Sequence, residues 1–330
     1  MSAPQSDAFI QKASSLSTDD TLAEEIPTGE TLGQTTLWRN ADFMKFWTGE
    51  TVSLFGSQVT LLALPLAAVL TLNVSQQQLG LLRFLETCPY LIFPLIFGVW
   101  VDRLRKRPLM ILANLVRALL IALVPLLALL HVLQLTPLYL IAFCTGTGTV
   151  LFDLCWLSFV PSIVSKDQLM EANSRITTSS ASAEVAGPGL AGFLVQFLSA
   201  PLALLADSFS YLVSVISLLL IRHHEPARPK RKDARLFKEM VEGFQFLWHN
   251  PYIRTLAIQA GAWNFCFAIV DIAFLLYAVR QIGFTPGVIG LIYAVGALGG
   301  LLGSVAAIPL ARRFPLGPVI CATFTLGSTP

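Results

Sequence analysis

The chain has 330 residues, 55% of them hydrophobic and only 13% charged, with a formal net charge of +2 and a mean hydropathy of +0.68. A soluble domain carries about 25% charged residues, so this composition excludes one. It describes an all-α membrane protein, and its balanced charge gives no reason to expect a nucleic-acid partner.

The first stretch, to about Asn40, is polar and rich in Ser and Thr, with Asp19, Asp20, Glu24 and Glu25. It lacks the short apolar core of a signal peptide, so residues 1–45 are expected to form a disordered cytoplasmic tail. Apolar segments follow at about residues 46–70, 79–101, 109–133, 137–160, 176–198, 202–221, 252–279 and 287–310. Each is long enough to cross a roughly 30 Å hydrocarbon layer as a helix. A ninth begins near Gly317 and runs only to Pro330, too short to cross. Pro65, Pro89, Pro94, Pro125 and Pro188 interrupt these runs. Membrane helices tolerate such breaks where neighbouring helices satisfy the freed carbonyls.

The links alternate in charge. Arg103, Arg105, Lys106 and Arg107 fill one, Lys166 and Arg175 the next, and a dense set from Arg222 to Lys238 a third. Arg312 and Arg313 follow the eighth span, whereas the opposite links hold only Arg280. The positive-inside rule then puts the N-terminus in the cytoplasm. Asn73-Val74-Ser75 is an outward sequon match in a link too short and too close to the membrane to carry weight. Residues 222–251 form the longest link, Pro-rich and basic first, then apolar at Phe237, Met240, Val241, Phe244 and Trp248. That period predicts an amphipathic helix on the inner membrane surface. Six spans over 46–221, this linker, and an incomplete second set over 252–330 are laid out like a transporter built of two six-helix halves.

The five cysteines, Cys88, Cys144, Cys155, Cys266 and Cys321, all lie in apolar segments without paired spacing, which favours small buried apolar residues over metal ligands or disulfides. No phosphate-cradling Gly-Lys-Ser/Thr loop and no nucleophile–base constellation is present. ATP-driven transport and catalysis therefore lack support. No enzyme activity, metal or cofactor is expected.

The link after the second span carries Gly98, Asp102, Arg103, Lys106 and Arg107 in a pattern that resembles the major facilitator superfamily signature Gly-x-x-x-Asp-Arg-x-Gly-Arg-Arg, with Arg105 in place of the second glycine. The chain looks most similar to the enterobactin-exporter-like and macrolide-efflux-like branch, the transmembrane secretion effectors. Asn114 and Arg117 in the third span, Asp153 in the fourth, Asn173 after it and Asp207 in the sixth fall in order with that branch. Gly187, Pro188, Gly189 and Gly192 resemble the superfamily's antiporter motif, with Ala183 and Ala191 where two glycines would stand. Close helix packing explains the same small residues. The resemblance implies the superfamily fold and a secondary transporter of the plasma membrane. Its expected action is proton-coupled efflux of a drug, siderophore or secondary metabolite by alternating access. It also implies that Arg103 engages an acidic residue of the fourth span and that Asp102 caps an eleventh helix.

Ionisable groups inside spans are functional candidates by default. At 1.5 Å per residue, Arg117 and Asp153 both lie about 12 Å from the cytoplasmic side. Either Arg117 or Arg103 can pair with Asp153 to latch the cytoplasmic end. Three carboxylates are candidates for proton coupling. Glu184, just before the Gly-Pro run, is preferred. Glu86 competes with a local pair to Arg83, and Glu50 with an interfacial side chain reaching water. Asp207 is read as structural, and Asp271 as a partner for Arg280. Two other readings remain: a truncated, non-transporting fragment, since the second set of spans is short of the expected helices, and an uncoupled importer or facilitator.

Overall fold

The structure, a computed structural model, describes Leu37–Arg222, Gln245, Phe246 and Trp248–Arg313, apart from the side chains of Leu95, Val99, Asp102, Arg103 and residues 307–312. The tail before Leu37, most of the 222–251 linker and the expected ninth segment lie outside the described residues. Among the described residues every regular element is helical.

Helix α1, Ala41–Thr71, starts where Asn40 Oδ1 accepts the Phe43 amide at 3.1 Å, with Asp42 in the first turn, so its free amides meet both a cap and a negative charge. The second apolar segment is not one helix. Pro89 and Pro94 divide it into α2 (Gln76–Thr87), α3 (Pro89–Ile92) and α4 (Pro94–Arg103), because each proline removes an amide and forces the chain to restart. Ser75 and Gln78 open α2 with a reciprocal capping box. The rest are long: α5 (Lys106–Leu129), α6 (Leu135–Ile163), α7 (Leu169–Leu198), α8 (Ala200–Leu220), α9 (Pro251–Tyr277) and α10 (Pro286–Arg313). Alpha-helix α9 widens into a π-helical turn over Ala278–Ile282 and stops at Gly283, whose φ of 75° suits only glycine well. Among the described residues, seven continuous helices are thus long and apolar enough to cross a membrane, and the broken α2–α4 set supplies the eighth expected segment.

One end of the molecule carries the basic links at Lys106, Lys166 and Arg222; the far end carries the turns at Ser75, Gln134, Ser199 and Gly283. Helices α1 to α8 form one bundle, and α9 and α10 lie against it. The tightest seam inside the bundle is α1 on α8. A Cβ on Gly49 would sit 2.0 Å from Ser217 Oγ, and one on Gly56 2.0 Å from Ser210 Oγ, so these glycines set the helix spacing. Two apolar layers fill the bundle. Phe43, Phe46, Met110, Phe152, Phe159 and Leu218 form one near the basic end. Val59, Leu66, Leu82, Ile121, Leu138 and Leu204 form the other near the far end. Polar side chains collect between them.

Candidate functional site

The polar layer is built around Arg117 on α5, only 5% exposed. Its Nη2 donates to the Tyr211 hydroxyl at 2.6 Å and its Nη1 to Asn114 Oδ1 at 3.1 Å. The guanidinium also lies over the Tyr211 ring, 4.0 Å from the centroid, and 5.8 Å from that of Phe152. Gly148 on α6 leaves room for the stem: a Cβ there would lie 2.9 Å from Arg117 Cγ. Asn114 in turn donates to Ser214 Oγ at 2.9 Å, and Tyr211 shares a hydrogen bond of 3.1 Å with Ser57. Three carboxylates, Glu50, Asp153 and Asp207, act on Arg117 through space.

Those carboxylates are held very differently. Asp207 is fully buried and accepts from Thr60 and from Ser210 Oγ, the latter at 3.0 Å, the structural role expected for it. Asp153 accepts from the Tyr90 hydroxyl at 2.8 Å. The direct Arg117–Asp153 pair allowed by their equal depth is not formed: Tyr211 and Asn114 hold the guanidinium, and Tyr90 holds the carboxylate. Glu50 Oε2 is buried and has no hydrogen-bond partner among the described residues. That oxygen is shielded from solvent, while the residue as a whole is half-buried. Glu184 sits exposed on α7 with a weak contact from Ser180 Oγ at 3.4 Å, away from this cluster. Glu86 pairs with Arg83 at 3.2 Å, the local alternative.

A cavity of about 280 Å³ opens beside the cluster. Leu61, Leu64, Ile121 and Ala142 give it an apolar wall; Arg83, Glu86, Tyr90, Arg117, Thr145 and Tyr211 give it a polar one. Arg117 Nε and Thr145 Oγ1 are both buried without a partner, so this wall has hydrogen-bonding capacity to spare. The volume is near the lower bound for small-molecule pockets, enough for part of a drug-sized compound. Tyr90, Tyr211 and Thr145 were not singled out from sequence. A tyrosine in an otherwise apolar span was the available signal, since its hydroxyl needs a partner there.

Two of the signature residues, Arg107 and Lys106, meet backbone carbonyls of neighbouring helices. Arg107 Nε donates to Leu218 O and Nη2 to Leu219 O, both at 2.8 Å, while Lys45 Nζ reaches Leu220 O at 2.9 Å. Together they satisfy the orphan carbonyls at the α8 C-terminus, where a cation is also favoured by the helix dipole. Lys106 is buried, its Nζ 3.5 Å from Ser158 O. A Cβ on Gly98 would meet nothing within 4 Å. The side chains of Asp102 and Arg103 lie outside the described residues, as does any eleventh helix.

The small-residue run on α7 faces two neighbours. A Cβ on Gly187 would sit 2.4 Å from Gln58 Cβ on α1. A Cβ on Gly189 would lie 3.8 Å from Ala294 Cβ, and one on Gly192 2.9 Å from Gly290 Cα on α10. On the other helix, a Cβ on Gly290 would strike Pro188 O at 2.3 Å. The run is therefore the seam between the bundle and α10, closed by a hydrogen bond from the Gly287 amide to Gln196 Oε1 at 3.1 Å. Arg280 does not pair with Asp271. It donates to Asn73 Oδ1 at 3.0 Å and Val74 O at 2.6 Å, pinning the end of α9 to the α1–α2 turn.

With this geometry in view, the comparisons with known proteins are specific. Residues 46–329 match the family model described as Major Facilitator Superfamily. The multidrug efflux pump Tap of Mycolicibacterium fortuitum is 26% identical over 82% of this chain and 68% of its own. Macrolide efflux protein A of Streptococcus pyogenes is 22% identical over 80% of this chain and 65% of its own. Among solved structures, a bacterial homologue of the human lysosomal transporter Spinster, inward-facing and unoccupied, superposes with a TM-score of 0.63 at 15% identity. That match covers 83% of this chain and 63% of the other, so the chain spans about two thirds of the length of its relatives.

Proposed function

The chain belongs to the Major Facilitator Superfamily, and on that premise we propose that it takes part in exporting a small amphipathic compound by alternating access in exchange for protons. The observation that carries this reading is the cavity with one apolar and one polar wall, in a bundle that also holds a buried carboxylate oxygen, Glu50 Oε2, with no hydrogen-bond partner among the described residues. An amphipathic cargo matches such walls, and the named activities of Tap and macrolide efflux protein A point to the same class. Glu50 is the coupling carboxylate in this proposal. A proton on Oε2 removes the charge from a buried oxygen that no described group hydrogen-bonds, which is what favours its uptake there. Glu184 and Glu86 rank below it, because one is exposed and the other is occupied by Arg83. The basic end faces the cytoplasm of a plasma membrane, following the charge of the links. The latch at that end is proposed to engage Asp153 in a state other than this one, because here Tyr90 holds that carboxylate and Tyr211 and Asn114 hold Arg117.

The test is macrolide movement in inside-out vesicles with an imposed pH gradient. Glu50→Gln should abolish the response to the gradient, whereas Glu184→Gln should keep it. A gradient response that survives Glu50→Gln and disappears in Glu184→Gln would reverse the assignment.

A further inference from the structure

Every described contact between the bundle and α9 or α10 named above lies toward the far end, and one side chain organises the middle of that closure. Arg83 on α2 makes three polar contacts in three directions. Its Nη1 donates to Glu86 Oε2 at 3.2 Å on its own helix. Its Nη2 donates to Leu61 O on α1 at 3.0 Å and lies 3.8 Å from Asp271 Oδ2 on α9. The other oxygen of Asp271 accepts from the Tyr293 hydroxyl on α10 at 2.5 Å. One guanidinium thus ties α1, α2 and α9 directly, and α10 through Asp271.

The Leu61 contact has a cause in the sequence. Pro65 lies four residues later in α1 and has no amide hydrogen, so the helix leaves the Leu61 carbonyl without its normal donor. In lipid such a carbonyl needs a partner, and Arg83 supplies it. Glu86 supplies a countercharge on the same side of the seam. Arg83 therefore stays satisfied within the bundle when α9 moves away. Asp271 likewise keeps Tyr293. Only the 3.8 Å contact crosses between them, and breaking it strands neither charge without a partner. A buried ion pair usually makes a poor switch because separation leaves an unpaired charge. This one avoids that penalty.

We propose that Arg83 and Asp271 form a reversible latch across the far end, acting beside the Arg280 bonds to Asn73 and Val74, and that Leu61 O, Glu86 and Tyr293 are the waiting partners that let it open. Arg83 and Glu86 also line the cavity, so the latch forms part of its wall. The inference rests on the alternating-access reading proposed above.

The test is side-specific labelling of the chain in cells. The reporter is Thr87→Cys, one turn beyond Arg83 on the cavity wall, in a background with the five native cysteines replaced. A reference cysteine at Gln134, in the α5–α6 link, defines the far side whichever way the chain is inserted. With a membrane-impermeant maleimide added from that side, Asp271→Ala and Arg83→Ala should each raise Thr87→Cys labelling by roughly fivefold. The double variant should rise no further than the single ones, because both remove the same contact. Tyr293→Phe, the mildest change, should shift labelling in the same direction by a smaller factor. Unchanged labelling in both alanine variants, at parental chain levels in the membrane, overturns the latch. So do effects that multiply in the double variant. Because the readout is labelling, a chain that opens at the far end yet moves no macrolide supports the latch and overturns only the transport reading.

Discussion

Arg117 and Arg83 are both arginines within membrane spans, and their surroundings differ in kind. Arg117 is 5% exposed and is wrapped by neutral partners, Tyr211 and Asn114, from the bundle alone. Arg83 keeps 24% of its side chain exposed and touches carboxylates on both sides of a seam, Glu86 and Asp271. The first arrangement fixes a charge inside one rigid body. The second shares a charge between elements that separate in the proposed transport cycle. Burial with neutral donors and acceptors gives permanence; partial exposure with a reserve partner on each side gives exchange.

The sharpest way to break this comparison is to truncate each arginine. Arg117→Ala leaves Glu50, Asp153 and Asp207 without their central countercharge and should cost about 3 kcal/mol. Arg83→Ala removes a partly wet ion pair but also leaves the Leu61 carbonyl without its donor, and should cost about 1–2 kcal/mol, less than Arg117→Ala. Thermal unfolding of the purified protein in detergent measures both. Equal losses would remove the distinction between a fixed and a shared charge. Arg117→Lys should recover little, since one ammonium cannot reproduce the fork that reaches Tyr211 and Asn114 together.

A second variant pries the seam apart while leaving both arginines intact. Gly290→Ala places a methyl group 2.3 Å from Pro188 O, so α10 must shift away from α7 at a cost of about 1–2 kcal/mol. Oxidative crosslinking between cysteines at Gln196 and Gly287, whose parent residues are hydrogen-bonded, should fall severalfold. The smallest expected effect sharpens the account of Arg83. Pro65→Ala returns an amide to α1, which reclaims the Leu61 carbonyl and strengthens the helix by about 1 kcal/mol. Arg83 then loses one anchor, and Thr87→Cys labelling should rise by less than in Asp271→Ala.

Much of the fold was legible before any coordinates. The apolar runs became helices, the small residues near Pro188 became a packing seam, and Asp207 took the structural hydrogen bonds expected of it. The continuity of the second span was misread. Pro89 and Pro94 do more than bend it; together they restart the helix twice. The charged residues were read less well. Depth along a helix placed Arg117 level with Asp153, yet depth says nothing about helix rotation, and Tyr90 and Tyr211 came between. Glu50 looked interfacial by its distance from the end of α1, but its Oε2 is turned into the bundle. Arg280 seemed to belong with Asp271 on the same helix, and instead each bonded to another element.

Sequence alone determined that this chain lives in a membrane, where its spans lie and which family motif it carries. Transfer of about twenty residues into lipid is a local sum, complete within each segment. Tertiary structure alone decided which charge meets which partner. That choice depends on the order and rotation of packed helices, and a displacement of one residue turns a side chain by about 100° around its axis. So the positions of Arg83 and Asp271 could be read from the chain, but the 3.8 Å that joins them is a property of the fold.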